Sequence, residues 1–153
     1  MKISVDNTFK VKPLLLPTLS TRLLTLNHVG VVKQTTTGYV YLDITNQYFD
    51  ELYPLLPDPK HPPTHYNTLN DIGSHISIIY EDEQPILKPI VEKTLEFNIE
   101  GLFEVEVLKQ RYIVLLVDAP ALEHLRAQQG LPPFPVYRGT TIHFHITLAR
   151  LSS

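Results

Sequence analysis

Two histidines in this chain are each followed, two positions on, by a side-chain hydroxyl: His75-Ile-Ser77-Ile and His145-Ile-Thr147-Leu. Of the seven histidines only these two fit the pattern. Side chains of an extended strand alternate between faces, so the imidazole and hydroxyl of each copy share one face and the aliphatic residues take the other. An imidazole titrates near neutrality, with an unperturbed pKa of about 6.5, so of two imidazoles around one ligand one accepts a proton while the other gives one. The hydroxyls can donate hydrogen bonds to oxygens on which charge accumulates. Brought into one small volume, His75, Ser77, His145 and Thr147 suit a phosphate.

The repetition extends beyond the motifs. Pro62-Pro63 stand before His75 at the interval at which Pro132-Pro133 stand before His145, and Lys33-Gln34 and Lys109-Gln110 each open a β-rich run that leads to a helical signal. The chain reads as an internal duplication within a single domain. The first copy is placed at residues 28–80, the second at 102–150, and a linker at 81–101; an extension at 1–27 is expected to pack on the first copy.

Each copy must build a platform for its motif. Residues 29–33 and 39–44 are rich in β-branched and aromatic side chains and flank a polar turn, which predicts a hairpin. Asn46 then offers an N-cap to a helix that Pro54 ends or kinks. In the second copy, residues 103–107 alternate as a half-buried strand should, and residues 112–117 are apolar throughout, as in a central strand. Asp118 offers the cap of a helix with Pro120 in its first turn and Gly130 as its stop. Pro-rich loops then deliver the chain to the motif strands, expected at 73–79 and 139–150. The second strand would turn Ile142, Phe144, Ile146 and Leu148 one way and His143, His145 and Thr147 the other.

Two strand–helix–loop–strand units, each ending in His-apolar-[Ser/Thr]-apolar, resemble the 2H phosphoesterase superfamily, whose members include 2′,3′-cyclic phosphodiesterases, RNA-ligase-like enzymes, RNA-end-trimming exonucleases and 2′-5′ oligoadenylate phosphodiesterases. The likeness covers about residues 28–150 and rests on His75-Ile-Ser-Ile78 and His145-Ile-Thr-Leu148; Ser77 stands where the family more often carries Thr. It implies an α+β fold of two pseudo-symmetric lobes, each an antiparallel sheet with a helix on the outside, about a central cleft. It also implies a metal-independent phosphodiesterase without cofactor, acting on a 2′,3′-cyclic phosphate or a 2′-5′-linked (oligo)nucleotide. In that reading His145 activates water and His75 protonates the leaving ribose oxygen, the reverse assignment being equally open. Ser77 and Thr147 bind the phosphate, and Tyr66, Phe134 or Tyr137 on the paired loops stack a base. His143 orients ligand, and Arg138 or Arg150 reaches a phosphate or stays solvated.

Composition narrows the partners. The 153 residues, 43% of them apolar, suffice for one domain with its own core. A formal charge of −3 with 19% charged residues leaves no electrostatic footprint for long nucleic acid. A nucleotide or a short RNA end fits better. The lack of cysteine excludes disulfides and thiolate metal sites. Residues 14–16, bracketed by Pro13 and Pro17, are too short for the core of a signal peptide, and no window approaches a membrane span, so the expectation is a cytoplasmic protein. Two rival expectations remain. One is a metal site on His143-x-His145 with His75 or His65 as a third ligand; the other is a non-catalytic binder of nucleotides or RNA ends.

Overall fold

The computed structural model describes residues 9–64, 72–83 and 86–151, with the backbone alone for residues 9 and 10. Among the described residues it is an α+β fold: one large antiparallel sheet, a two-stranded hairpin and three helices. In chain order the elements are β1 (Phe9–Pro13), α1 (Pro17–Leu23), β2 (Val29–Gln34), β3 (Val40–Asp43), α2 (Gln47–Leu52), β4 (His75–Ile79) and β5 (Thr94–Glu96). There follow β6 (Asn98–Val107), β7 (Gln110–Asp118), α3 (Pro120–Gln128), β8 (Val136–Tyr137), β9 (Thr140–Thr141) and β10 (His145–Leu151). The sheet runs β1-β6-β7-β10-β4-β3-β2-β5, so the two motif strands, β10 and β4, are neighbours at its centre.

The two sheets expected of separate lobes are therefore joined edge to edge into one. The joint is short: Ile146↔Ile76 is the single ladder pair between β10 and β4. Pairing here completes the hydrogen bonding of two strands that would otherwise end each half as an open edge.

Apolar periodicity sets the layers. Leu19 and Leu23 of α1, Tyr48 and Leu52 of α2, and Leu122 and Leu125 of α3 belong to the main core on one face of the sheet. The sheet contributes Leu42, Ile76, Ile113, Leu115, Val117, Ile146 and Leu148 to the same core. Each fully buried aliphatic side chain contributes about 1.5–3 kcal/mol. The opposite face carries only a small apolar cluster of Val105, Val107, Val114, Leu116 and Ile142. β7 is apolar on both faces, as its sequence demanded, because Ile113, Leu115 and Val117 serve the first cluster and Val114 and Leu116 the second.

Several expectations need correction. The N-terminal extension does not sit on the first copy alone: α1 contacts α2, but β1 pairs with β6 at the far side of the sheet, Val11 against Val105. The long strand β6 would otherwise leave its outer edge uncovered. The stretch 81–101 is not a plain linker and forms no helix among its described residues; Thr94–Glu96 closes the other edge against β2, and β6 begins at Asn98. Pro54 ends α2 as expected: the α-helix stops at Leu52 and the chain leaves it through a 3-10 turn, Tyr53–Leu55. Ala119, not Asp118, caps α3, its carbonyl accepting from Leu122 and Glu123 N–H. The segment 139–150 is no continuous strand, since Thr140–Thr141 turns back on Val136–Tyr137 and β10 starts only at His145. Among the described residues no helix is long and apolar enough to cross a membrane.

One buried ion pair ties the halves together from behind. The Arg126 guanidinium on α3 is fully buried and grips the Glu83 carboxylate with Nη1 and Nη2 at 2.8 and 2.7 Å. It also donates to the carbonyls of Ile78 on β4 and Pro132, each at 2.8 Å. Glu83 in turn accepts from the N–H groups of Tyr80 and Val136. The donors of the guanidinium thus end on three different pieces of chain. Replacing Arg126 by Met strands a buried carboxylate, and the free energy of urea unfolding is expected to fall by about 3–5 kcal/mol. A loss below about 1 kcal/mol would show that the pair does not hold the halves together.

Candidate active site

The antiparallel register across the central seam decides how the two motifs meet. With Ile146 opposite Ile76, His145 stands opposite Ser77 and Thr147 opposite His75. Each imidazole therefore faces the hydroxyl of the other copy. All four side chains line one cavity of about 350 Å³ on the sheet face away from the helices.

A bulge follows the hydroxyl in both strands. On β4 the register passes from Tyr41↔Ser77 to Val40↔Ile79, and on β10 from Thr147↔Val114 to Ala149↔Ile113. One extra residue in each strand lets two consecutive apolar side chains, Ile78-Ile79 and Leu148-Ala149, turn into the main core. The next residue, Tyr80 in one strand and Arg150 in the other, is thereby returned to the cavity. Strict alternation would have placed both on the helix side. The doubled apolar pair after each hydroxyl was the signal in the sequence.

Both imidazoles are held in the same way. His75 Nδ1 donates to the Gly73 carbonyl at 2.7 Å and His145 Nδ1 to the His143 carbonyl at 2.8 Å. A carbonyl only accepts, so each Nδ1 carries the proton and each Nε2 keeps its lone pair when the ring is neutral. Gly73 sits at φ +80°, and a Cβ there would come within 2.4 Å of Asn46 Oδ1. That same oxygen accepts from Ser74 N–H at 2.9 Å, so Asn46 anchors the strand entry instead of capping α2 with its side chain.

Electrostatics separate the two rings. Burial pushes the pKa of His145 down to about 4, and a charge on nearby His75 or His143 would oppose its own. Burial also lowers His75, but Asp43, its partner across the β3–β4 ladder, works in the opposite direction. Burial thus disfavours the charged form of both rings, and of the two only His75 has a carboxylate opposing that push.

The walls differ as well. On the side of β3 and β4 stand Tyr39, Ser77 and Tyr80; on the side of β6 and β7 lie Val105, Val107, Val114 and Leu116 together with Tyr112. Pro63 and Thr64 close one end, where the His61 and Arg150 backbones pair and Arg150 Nε donates to the Pro62 carbonyl at 2.8 Å. Among the lining residues Arg150 is the only Lys or Arg.

Of the other expected site residues, Tyr137 lines the cavity and packs on Tyr80 with ring centroids 5.1 Å apart. Arg138, in the β8–β9 turn, lies over the Tyr137 ring at 5.2 Å and does not line the cavity. Phe134 packs on His143 and Phe144 against the main core, also away from the cavity. His143 is buried, with Nε2 3.1 Å from Glu100 Oε1, and contributes to the site through its carbonyl. The reason is that the chain is not yet a strand at 142–144: Ile142 faces the cavity and His143 turns inward. His143 and His145 consequently do not present a shared face to a metal, and among the described residues no group of three or more His, Asp or Glu is arranged to hold one. Tyr66 and His65 lie outside the described residues. Tyr39, Asp43 and Tyr80 were not singled out by the sequence.

A family model described as Swiss Army Knife, 2H phosphoesterase domain, matches residues 40–153. No curated protein and no solved structure matches the chain.

Two measurements check this geometry. His145 has a folded-state pKa below its unfolded value, so its contribution to stability is present above about pH 6.5 and is lost as pH falls towards about 4. The unfolding free energy should decline across that window, and less steeply in His145→Gln. Separately, Gly73→Ala forces a side chain into the left-handed region and against Asn46, which should destabilise the fold by about 1 kcal/mol or more. A variant as stable as the parent would mean that the Gly73 carbonyl is not constrained as described.

Proposed function

The chain belongs to the 2H phosphoesterase family, and from that premise we propose that it hydrolyses a 2′,3′-cyclic phosphate or a 2′-5′ linkage of a nucleotide or short RNA end by acid–base catalysis between His75 and His145. The observation that carries the reading is the crossed meeting of the two motifs in one cavity, with each Nδ1 bound to a carbonyl, which leaves Nε2 as the atom of each ring that exchanges a proton. In the proposed step His145 Nε2 takes a proton from water as its oxygen attacks phosphorus. The bond from phosphorus to the ribose oxygen breaks, and that oxygen receives the proton of His75 Nε2. Solvent then restores both rings.

The assignment of base and acid follows the electrostatics. A ring pushed to about 4 is neutral, and so a base, at any physiological pH. Asp43 favours the charged form of His75, and a bound diester anion adds to that preference. Ser77 and Thr147 donate to the non-bridging oxygens and Arg150 offsets their charge, while Tyr137 and Tyr80 offer rings to a base. The order of the sheet, running outward from β4 through β3 and β2 and from β10 through β7 and β6, supports reading the halves as copies of one unit.

The deciding experiment is a turnover screen of 2′,3′-cyclic nucleotides and of 2′-5′ and 3′-5′ oligonucleotides, with chelator present. His75→Ala and His145→Ala should each lower kcat by roughly a hundred- to ten-thousand-fold with the fold intact by circular dichroism. Affinity for these ligands without turnover would favour a binding protein instead. The pH profile gives a second check: because Asp43 raises the affinity of His75 for its proton, Asp43→Asn should move the alkaline limb of kcat to lower pH. An unmoved limb would take His75 out of the role of acid.

A further inference from the structure

Glu100 is the extra residue of a third bulge. On β6 the register passes from Ile99↔Val117 to Gly101↔Leu116, so Glu100 has no ladder partner on β7. Leu116 is also the partner of His145 on the other side of β7, which puts the bulge two strands from the buried imidazole and level with it. A bulge re-aims a side chain out of the alternation of its strand. Here it brings a half-buried carboxylate to His143, with Oε1 standing 3.1 Å from Nε2.

His143 lies between the end of β9 and the start of β10, and its carbonyl accepts His145 Nδ1–H at 2.8 Å. That bond decides which nitrogen of His145 is left bare. The flanks of the stretch are pinned by backbone bonds: Ile142 N–H donates to the Pro135 carbonyl, and the Phe144 carbonyl accepts from Val117 N–H. The peptide carrying the His143 carbonyl lies between them. Its residue's ring is clamped by Glu100 on one side and by Phe134, with ring centroids 4.9 Å apart, on another. An ionised carboxylate only accepts, so His143 donates from Nε2. Without the carboxylate the ring loses its polar anchor and the peptide is free to turn, and an imidazole that loses its Nδ1 acceptor can carry the proton on Nε2 instead.

We propose that Glu100 is a positioning residue of the site: through His143 it fixes the carbonyl that keeps the proton of His145 on Nδ1, and so keeps Nε2 open as the base. The catalytic meaning of the inference rests on the phosphodiesterase reading above, whereas the tautomer is a property of the resting protein. The first copy reaches the same end with another side chain, since Asn46 Oδ1 holds Ser74 N–H beside the Gly73 carbonyl that accepts from His75. Each imidazole thus has an anchor from outside its own strand, an amide for one and a carboxylate acting through a third histidine for the other.

Nitrogen-15 NMR of the histidine-labelled chain, at about pH 8 where an imidazole is neutral, reads the tautomer directly. The ring signals of His145, identified by their absence in His145→Gln, should show a protonated Nδ1 and a bare Nε2 in the wild type. Glu100→Met fills the same space without accepting and should move the proton wholly or partly to Nε2. Glu100→Gln, whose amide oxygen accepts the same hydrogen bond, should keep the wild-type pattern. On whichever diester the wild type turns over, Glu100→Met should lower kcat about tenfold with KM within about twofold, and Glu100→Gln should restore it. Melting temperatures show that each variant is folded; should Glu100→Met not fold, Glu100→Ala is read in its place. An unmoved tautomer in the folded variant, a wild-type proton on Nε2, or an equal loss of kcat in Glu100→Gln overturns the inference while the phosphodiesterase reading stands. A wild type that turns over no diester fails that reading instead, and the tautomer comparison alone then decides the role of Glu100.

Discussion

A guanidinium buried without access to water is the constraint on which the site depends. The motif strands β4 and β10 share one ladder pair, far less than the nine residues over which β6 and β7 are matched. So brief a seam cannot by itself hold two imidazoles in register. Arg126 supplies the missing rigidity, because it reaches from the helix of one half to the end of the motif strand in the other. Its carboxylate partner, Glu83, fixes the backbones of Tyr80 and Val136, which lead into two rings of the cavity wall. Desolvating this pair is costly, and a well-packed apolar substitute for both partners would be no less stable. What the charges add is direction: four fixed hydrogen bonds from one side chain pin three segments to a single geometry.

The bulges serve the same end by another route. A pleated strand offers the cavity every second residue, about 7 Å apart, too widely spaced for more than two groups to touch one small anion. The extra residue after each hydroxyl bends the strand and brings a third side chain round to the same face. One strand uses this to present a phenol and the other a guanidinium, Tyr80 and Arg150. The two motif strands thus share a bulge and differ in chemistry, and the walls differ too, with Tyr39 and Tyr80 on one side and Val105, Val107, Val114 and Tyr112 on the other. The same asymmetry separates the imidazoles, since a carboxylate stands across the ladder from His75 and none stands so placed beside His145 among the described residues.

Much of this was legible in the sequence because it depends on local pattern. β-rich runs about a polar turn identified the hairpin β2–β3, alternation marked the strand β6, an apolar run marked β7 as central, and the repeat of His-apolar-[Ser/Thr]-apolar picked out the four groups that the cavity gathers. The readings that failed share a cause. His143 looked like an extension of the polar face, but strand geometry starts only at His145, and a distant carboxylate on β6 draws the ring of His143 into the interior. Phe134 has the composition of a stacking residue and spends its ring on the core. Asp118 has the chemistry of a cap, yet α3 starts one residue later than an Asp118 cap allows; Asn46 does stand at the N-cap of α2, but its side chain turns to Ser74.

By itself the sequence determined which residue types recur and at what spacing, and hence that two imidazole–hydroxyl strands exist, each with an apolar back. It could not determine that these strands lie side by side, in a register that crosses each histidine with the other copy's hydroxyl, because register is chosen by contacts between segments about seventy residues apart. Nor could it say that β1 and β5 would close the two outer edges, or that Tyr39, Asp43 and Arg126 belong to the site and its support. Those assignments rest on which buried donors and acceptors find partners once the chain is compact, and a partner's identity is fixed by proximity in space, which no local pattern records.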